Sequence, residues 1–132
     1  MKKSILCVDD ENIVLDSLKS QLKRRLGNSF SYETALNAEE AFEIIEDLYS
    51  EGIKIVLIVS DWLMPGIKGD EFLVKVHEIY PDMINILLTG RAELEAIENA
   101  KNNANLFACL EKPWAEDELI SIIKKALEEF HE

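Results

Sequence analysis

Apolar residues along this chain follow two rhythms. Short contiguous runs alternate with longer stretches in which apolar positions recur every three or four residues. Residues 5–8 form the first short run and predict a strand. Asp10-Glu11-Asn12 then opens a segment with Leu15, Leu18, Leu22 and Leu26 at helical spacing, ended by Gly27. Phe30, Tyr32 and Thr34 alternate with Ser31 and Glu33, the pattern of an edge strand with one wet face. Asn37 is placed to cap a helix carrying Ala41, Ile45 and Leu48, which Gly52 ends. Residues 55–59 are continuously apolar and rich in β-branched side chains, as in a strand buried on both faces. Residues 61–66 read as a loop. Phe72, Leu73, Val76 and Tyr80 mark a third helix, stopped by Pro81. Residues 86–88 predict a fourth strand, and Thr89-Gly90-Arg91 leads to a helix with Leu94, Ile97 and Ala100. Residues 106–110 predict a fifth strand. Pro113 precedes a last helix with Leu119, Ile120, Ile123, Leu127 and Phe130.

Five strands alternating with five helices imply an α/β fold. Parallel strands need helical crossovers, and right-handed crossovers cover both faces of the sheet. The expected architecture is a doubly wound, flavodoxin-like five-stranded parallel sheet of order 2-1-3-4-5, with helices on both faces.

Composition narrows the function. The chain has 132 residues, 48% hydrophobic and 30% charged, which suits one domain over residues 1–132 rather than a disordered chain. Its 14 Lys and Arg against 26 Asp and Glu give a net charge of −12. That argues against direct binding to a nucleic-acid backbone, which needs a basic face, and equally against attraction to anionic lipid. No apolar run approaches the ~20 residues of a membrane span. The basic start, Met1-Lys2-Lys3, leads into an apolar stretch too short for a signal peptide. Cys7 and Cys109 lie in apolar runs without a CxxC, and read as reduced core thiols of a cytoplasmic protein.

The candidate chemistry gathers where the expected strands end. Ligands of such sheets bind beyond the carboxyl ends of the strands, at the switch point between strands 1 and 3. Asp9 and Asp10 follow strand 1, Asp61 follows strand 3, Thr89 follows strand 4 and Lys112 follows strand 5. Each has an ordinary reading alone. Asp10 and Thr89 are candidate helix caps, Asp61 a turn former and Lys112 a solvated charge. Together they bring three carboxylates, a hydroxyl and an ammonium to one sheet edge. Three crowded carboxylates repel, so a cation must compensate. Mg²⁺ is a hard cation that prefers oxygen ligands. With Lys112 it balances the three carboxylates. A carboxylate nucleophile beside a metal and a lysine is suited to forming an aspartyl phosphate.

These segments resemble the response-regulator receiver domain of two-component signalling. The likeness rests on Ile5-Leu6-Cys7-Val8-Asp9-Asp10-Glu11, on Val59-Ser60-Asp61-Trp62-Leu63-Met64-Pro65-Gly66 with Gly69, on Leu87-Leu88-Thr89-Gly90, and on Leu110-Glu111-Lys112-Pro113-Trp114. It implies that Asp61 accepts a phosphoryl group from a sensor histidine kinase or phosphotransfer protein. It also implies that Asp10, Asp61 and the Leu63 carbonyl bind Mg²⁺, with Asp9 acting through water. Thr89 and Lys112 would contact the phosphoryl group, and the Lys112–Pro113 bond would be cis. The fourth helix, fifth strand and fifth helix would carry the signal to a downstream output domain or protein, or to a phosphorylation-dependent homodimer. Leu63 and Arg91 would tune dephosphorylation.

One position departs from the family. The residue three before the lysine is usually an aromatic switch, and here it is Cys109. Phe107 shares its strand face if alternation is regular. Other classes fit less well. A haloacid-dehalogenase-type phosphohydrolase needs a second Asp two residues after the nucleophile, where this chain has Leu63. No GxGxxG or GxxxxGK nucleotide motif occurs. The chain is therefore expected to be no enzyme beyond its own phosphotransfer and autodephosphorylation. The alternative is a degenerate receiver serving as a phosphorylation-independent docking module. No output domain is expected within these residues.

Overall fold

The computed structural model of the protein describes residues 2–90 and 94–129. The elements run β1 (Lys3–Val8), α1 (Asn12–Leu26), β2 (Ser31–Ala35), α2 (Ala38–Ser50), β3 (Lys54–Asp61), α3 (Gly69–Ile79), β4 (Ile84–Thr89), α4 (Leu94–Asn103), β5 (Leu106–Glu111) and α5 (Glu116–Glu129). A single 3₁₀ turn, Gly27–Ser29, joins α1 to β2. All strand pairs are parallel and the order is β2-β1-β3-β4-β5. This is the expected doubly wound sheet, with the switch point between β1 and β3. Among the described residues, no helix is long and apolar enough to cross a membrane.

The sheet separates two apolar layers. On one side Leu15, Leu18 and Leu22 of α1 and Leu119, Ile120, Ile123 and Ala126 of α5 pack on Ile5, Cys7, Leu57 and Val59. On the other, Ala41 and Ile45 of α2, Phe72, Leu73 and Val76 of α3 and Ala100 of α4 pack on Leu6, Val8, Ile55 and Ile58. Central strands buried on both faces explain the unbroken apolar runs. Asn37 caps α2 as expected, its Oδ1 accepting the Glu40 N–H at 2.8 Å. Gly27 takes φ of 74°, the left-handed backbone that glycine tolerates at a helix end.

Several expectations need correction. β3 continues through Ser60 to Asp61, so Asp61 is the last strand residue and not the first of a loop. The ladder to β4 still pairs Asp61 with Leu88, and polarity does not end a strand whose backbone has a partner. β4 likewise starts two residues early and includes Thr89. Leu94 is 78% exposed, so α4 faces the core with Ala96 and Ala100, and with Ile97 partly buried, but not with Leu94. Cys7 is a core thiol, whereas Cys109 is only half-buried. Burial pushes the Cys7 thiol up to about 12, so it stays protonated and inert.

Phe107 does not share a face with Cys109. The β4–β5 register shifts between the pairs Asn85–Leu106 and Ile86–Ala108, which makes Phe107 an extra residue. A bulge of this kind reverses the alternation after it. Cys109 consequently packs on the α2–α4 side and Phe107 on the α1–α5 side. The expected roles of Arg91 and Phe130 lie outside the described residues.

Candidate functional site

The carboxyl ends of β1, β3, β4 and β5 surround one cleft of about 400 Å³, lined by Asp10, Glu11, Asp61, Trp62, Leu63, Thr89, Gly90 and Lys112. Backbone pairing fixes each contributor. The Asp9 N–H donates to the Ala35 carbonyl at 3.1 Å, holding the end of β1 against β2. The Trp62 N–H donates to the Leu88 carbonyl at 3.2 Å, and the Lys112 N–H donates to the Thr89 carbonyl at 2.8 Å. Lys112 is thereby carried over the cleft at the end of β5, and the Lys112–Pro113 peptide is cis.

The loop after Asp61 is clamped by α3. The Gly69 N–H donates to the Trp62 carbonyl at 2.7 Å. A Cβ at Gly69 would stand 2.0 Å from the Asp61 carbonyl oxygen and 2.8 Å from the Trp62 Cα. Neither backbone atom can swing aside, so only glycine permits this approach.

Asp9 is fully buried and Asp61 nearly so, while Asp10 is exposed. Lys112 Nζ lies 2.6 Å from Asp9 Oδ2 and 3.1 Å from Asp61 Oδ1. The other Asp9 oxygen accepts the Glu11 N–H at 2.9 Å. The Asp61 carboxyl is held above the usual carboxylate range, chiefly by burial and then by Asp9, with Lys112 only partly opposing. Burial pulls the Lys112 ammonium downward, but its hydrogen bonds to Asp9 and Asp61 outweigh that and raise it on balance. The two directions agree physically: one ammonium does not neutralise three carboxylates. With all four groups ionised the cluster carries a charge of −2.

One oxygen from each of Asp9, Asp10 and Asp61 can be chosen so that all lie within 4.8 Å of one another. Hard oxygen donors with an uncompensated charge of −2 fit a hard divalent cation such as Mg²⁺, which commonly takes one or two carboxylates and keeps waters. Asp9 already spends both oxygens on Lys112 and Glu11, which suits contact with an ion through water rather than directly.

Residues 5–124 match the response regulator receiver domain family. This chain belongs to that family. The receiver is 33% identical over 125 residues to the hydrogenase transcriptional regulatory protein HoxA of Cupriavidus necator, covering 95% of this chain and 24% of HoxA. It thus spans about a quarter of that relative's length. The signal receiver domain of an HD domain-containing protein from Pseudomonas fluorescens Pf-5 superimposes with a TM-score of 0.87 at 29% identity, covering 99% of this chain and 98% of that one. The beryllofluoride-activated NtrC4 receiver domain dimer does so with a TM-score of 0.83 at 30% identity, covering 99% and 100%.

The receiver fold brings together Asp9, Asp10, Asp61, Leu63, Thr89 and Lys112 around the cleft. The ordinary readings of several of these residues do not hold. The N-cap position of α1 is Glu11, without a side-chain cap, so Asp10 is not a cap. Thr89 is the last residue of β4, at the edge of the cleft. Lys112 is paired, not solvated. Cys109 stands apart, on the apolar layer beneath α4. Sequence reasoning missed Asp70. An acidic residue in a first helical turn reads as ordinary dipole compensation, yet this one is buried and holds the Trp62 indole.

Proposed function

We propose that this receiver takes a phosphoryl group onto Asp61 from a phosphohistidine of a sensor histidine kinase or phosphotransfer protein, in a Mg²⁺-dependent reaction. The observation that carries this reading is the convergence of Asp9, Asp10 and Asp61 on one cleft, bridged by Lys112. An Asp61 carboxylate oxygen forms the new bond to phosphorus, the P–N bond breaks, and the imidazole leaves with the electron pair. The product is a mixed anhydride on Asp61. Lys112, already 3.1 Å from Asp61, holds one phosphoryl oxygen, and Thr89 donates to another from the end of β4. Asp10, Asp61 and the Leu63 carbonyl would hold the ion, with Asp9 contributing through water. When bound, Mg²⁺ neutralises charge that otherwise repels the incoming phosphate.

The leucine two residues after Asp61 lines the cleft and is 61% exposed, so it presents apolar surface where a hydrolytic water must approach. Leu63, with Arg91, tunes the lifetime of the phosphorylated state. The output surface is α4, β5 and α5, where Glu95, Glu98 and Lys101 are exposed. It serves a downstream output domain or protein, or a phosphorylation-dependent homodimer, in the cytoplasm. Signalling replaces metabolic catalysis: the domain acts only on its own phosphoryl group. Acetyl phosphate with Mg²⁺ should label the protein once, and chelation of Mg²⁺ should suppress labelling. Labelling indifferent to chelation removes the metal from the mechanism.

A further inference from the structure

Asp70 lies in the first turn of α3 and is 6% exposed. A carboxylate this buried is costly unless its oxygens are hydrogen-bonded. Both are. Oδ1 accepts the Trp62 indole Nε1–H at 3.0 Å, and Oδ2 accepts from Asn99 Nδ2 at 2.9 Å. Asn99 Oδ1 in turn accepts from Asn103 Nδ2 at 2.8 Å. Trp62 directly follows the phosphoacceptor, and its own N–H and carbonyl are bound to Leu88 and Gly69. One continuous set of polar contacts therefore runs from the end of β3, through Asp70, to two residues of α4.

The apolar anchoring of α4 makes that polar link matter. Among the described residues the buried side chains of α4 are the small residues Ala96 and Ala100, and Ile97 adds a partly buried contact to the same layer. By contrast α1 buries three leucines, and α5 buries Leu119, Ile120, Ile123 and Ala126. A helix held by little apolar surface depends more on its directional contacts. The hydrogen bonds of Asp70 are charge-assisted, the stronger kind.

We propose that Asp70 is a positioning residue that fixes α4 against the loop that follows Asp61, so that displacement of that loop reaches α4 through Trp62, Asp70 and Asn99. The inference rests on the reading of Asp61 as phosphoacceptor. It supplies a mechanical route from the cleft to α4 in a chain whose position 109 lacks an aromatic side chain. Phosphorylation shifts a two-state arrangement of α4, and Asp70 is the contact both states share with the loop.

The test compares wild type, Asp70→Asn, Asn99→Asp and the double exchange in the whole chain. Amide hydrogen exchange of α4 is read with and without beryllofluoride and Mg²⁺, beside Asp61 labelling by acetyl phosphate. In Asp70→Asn the charge is lost and one oxygen cannot accept from both Trp62 and Asn99, so the charge-assisted contact to α4 is lost. Exchange in α4 should rise about tenfold, the worth of one hydrogen bond to a charged group. Labelling should persist, the Trp62 indole resonance should still respond to beryllofluoride, and the α4 response should fall at least threefold. In the double exchange the amide at position 70 accepts from Trp62 and donates to the carboxylate at position 99. That should restore α4 to within about twofold of wild type. If Asp70→Asn does not fold, Asn99→Ala cuts the same contact from a half-buried position and should give the same loss. A wild type that takes no label sinks the phosphoacceptor reading, while basal α4 exchange still decides on the Asp70 link. A labelled wild type whose α4 behaves identically in Asp70→Asn, or a double exchange that restores nothing, overturns the link itself.

Discussion

Replacing Asp61 by Asn removes one charge from the cleft and keeps the side chain's size. Asp9 and Asp10 each bring an oxygen within 4.8 Å of an Asp61 oxygen. At an effective dielectric of ~20, like charges at that separation repel by about 3.5 kcal/mol. Lys112 lies 3.1 Å away, and attracts Asp61 by about 5.4 kcal/mol on the same scale. Buried Asp9 and the exposed, more screened Asp10 offset most of that attraction, and the cost of burying the carboxylate, the largest cause of its raised titration, tips the balance against the charge. Asp61→Asn should therefore be more stable than wild type at neutral pH in chelator, by about 1.5–3 kcal/mol, or roughly 5–10 °C in Tm. The dependence on pH follows from the direction of the shift. The folded-state carboxyl titrates above its unfolded value of ~3.9, so its stabilising contribution is complete below that pH. It is lost as pH rises through the folded value. The advantage of Asn should thus grow from about pH 4 upward and then level off. Mg²⁺ should narrow the difference, since an ion at 100 times its Kd adds about 2.7 kcal/mol to the wild type. The variant, one ligand charge poorer, should gain less. Thermal unfolding followed by circular dichroism, with chelator and with Mg²⁺, provides the assay. A variant less stable than wild type in chelator at pH 7, or an advantage that widens toward acid, refutes the reasoning.

Three further outcomes are expected. Lys112→Met leaves the Asp9 carboxylate, 1% exposed in its side chain, with only the Glu11 N–H. That should cost about 3 kcal/mol in urea unfolding and abolish labelling, and a loss under ~0.5 kcal/mol speaks against a buried charge cluster. Gly69→Ala places a Cβ 2.0 Å from the Asp61 carbonyl oxygen. The backbone must shift at a cost of about 1–3 kcal/mol or more, seen as a lower urea midpoint and slower labelling than wild type. Leu63→Asn gives a polar group to orient water at the cleft, and should speed loss of phosphate after removal of the donor by about tenfold; an unchanged rate clears Leu63 of that role.

The fold was legible because the central strands are buried on both faces and the helices on one. Runs such as 55–59 and the leucine spacing of α1 therefore carry the period of their element directly. Strand ends were harder to read. Ser60, Asp61 and Thr89 are polar, yet the parallel ladder continues through them because their backbone groups have partners. The site was legible because sheet topology gathers residues that follow strands, so strand order alone brings Asp9, Asp10, Asp61, Thr89 and Lys112 to one edge. The bulge that separates Phe107 from Cys109 was not, since an extra residue in an apolar run leaves no mark in composition. Nor was Asp70, whose importance comes from Trp62 and Asn99, neighbours in space that helical periodicity does not pair.

The central claim is that Asp61 carries the phosphoryl group. Wild type and Asp61→Ala are treated with acetyl phosphate and Mg²⁺, then with borohydride, which reduces an aspartyl phosphate to homoserine. The digests are compared by mass spectrometry. Homoserine at position 61 in wild type, and at no acidic position in Asp61→Ala, is the predicted result. Reduction at another acidic residue of wild type with Asp61 intact, or no reduction anywhere, contradicts the account.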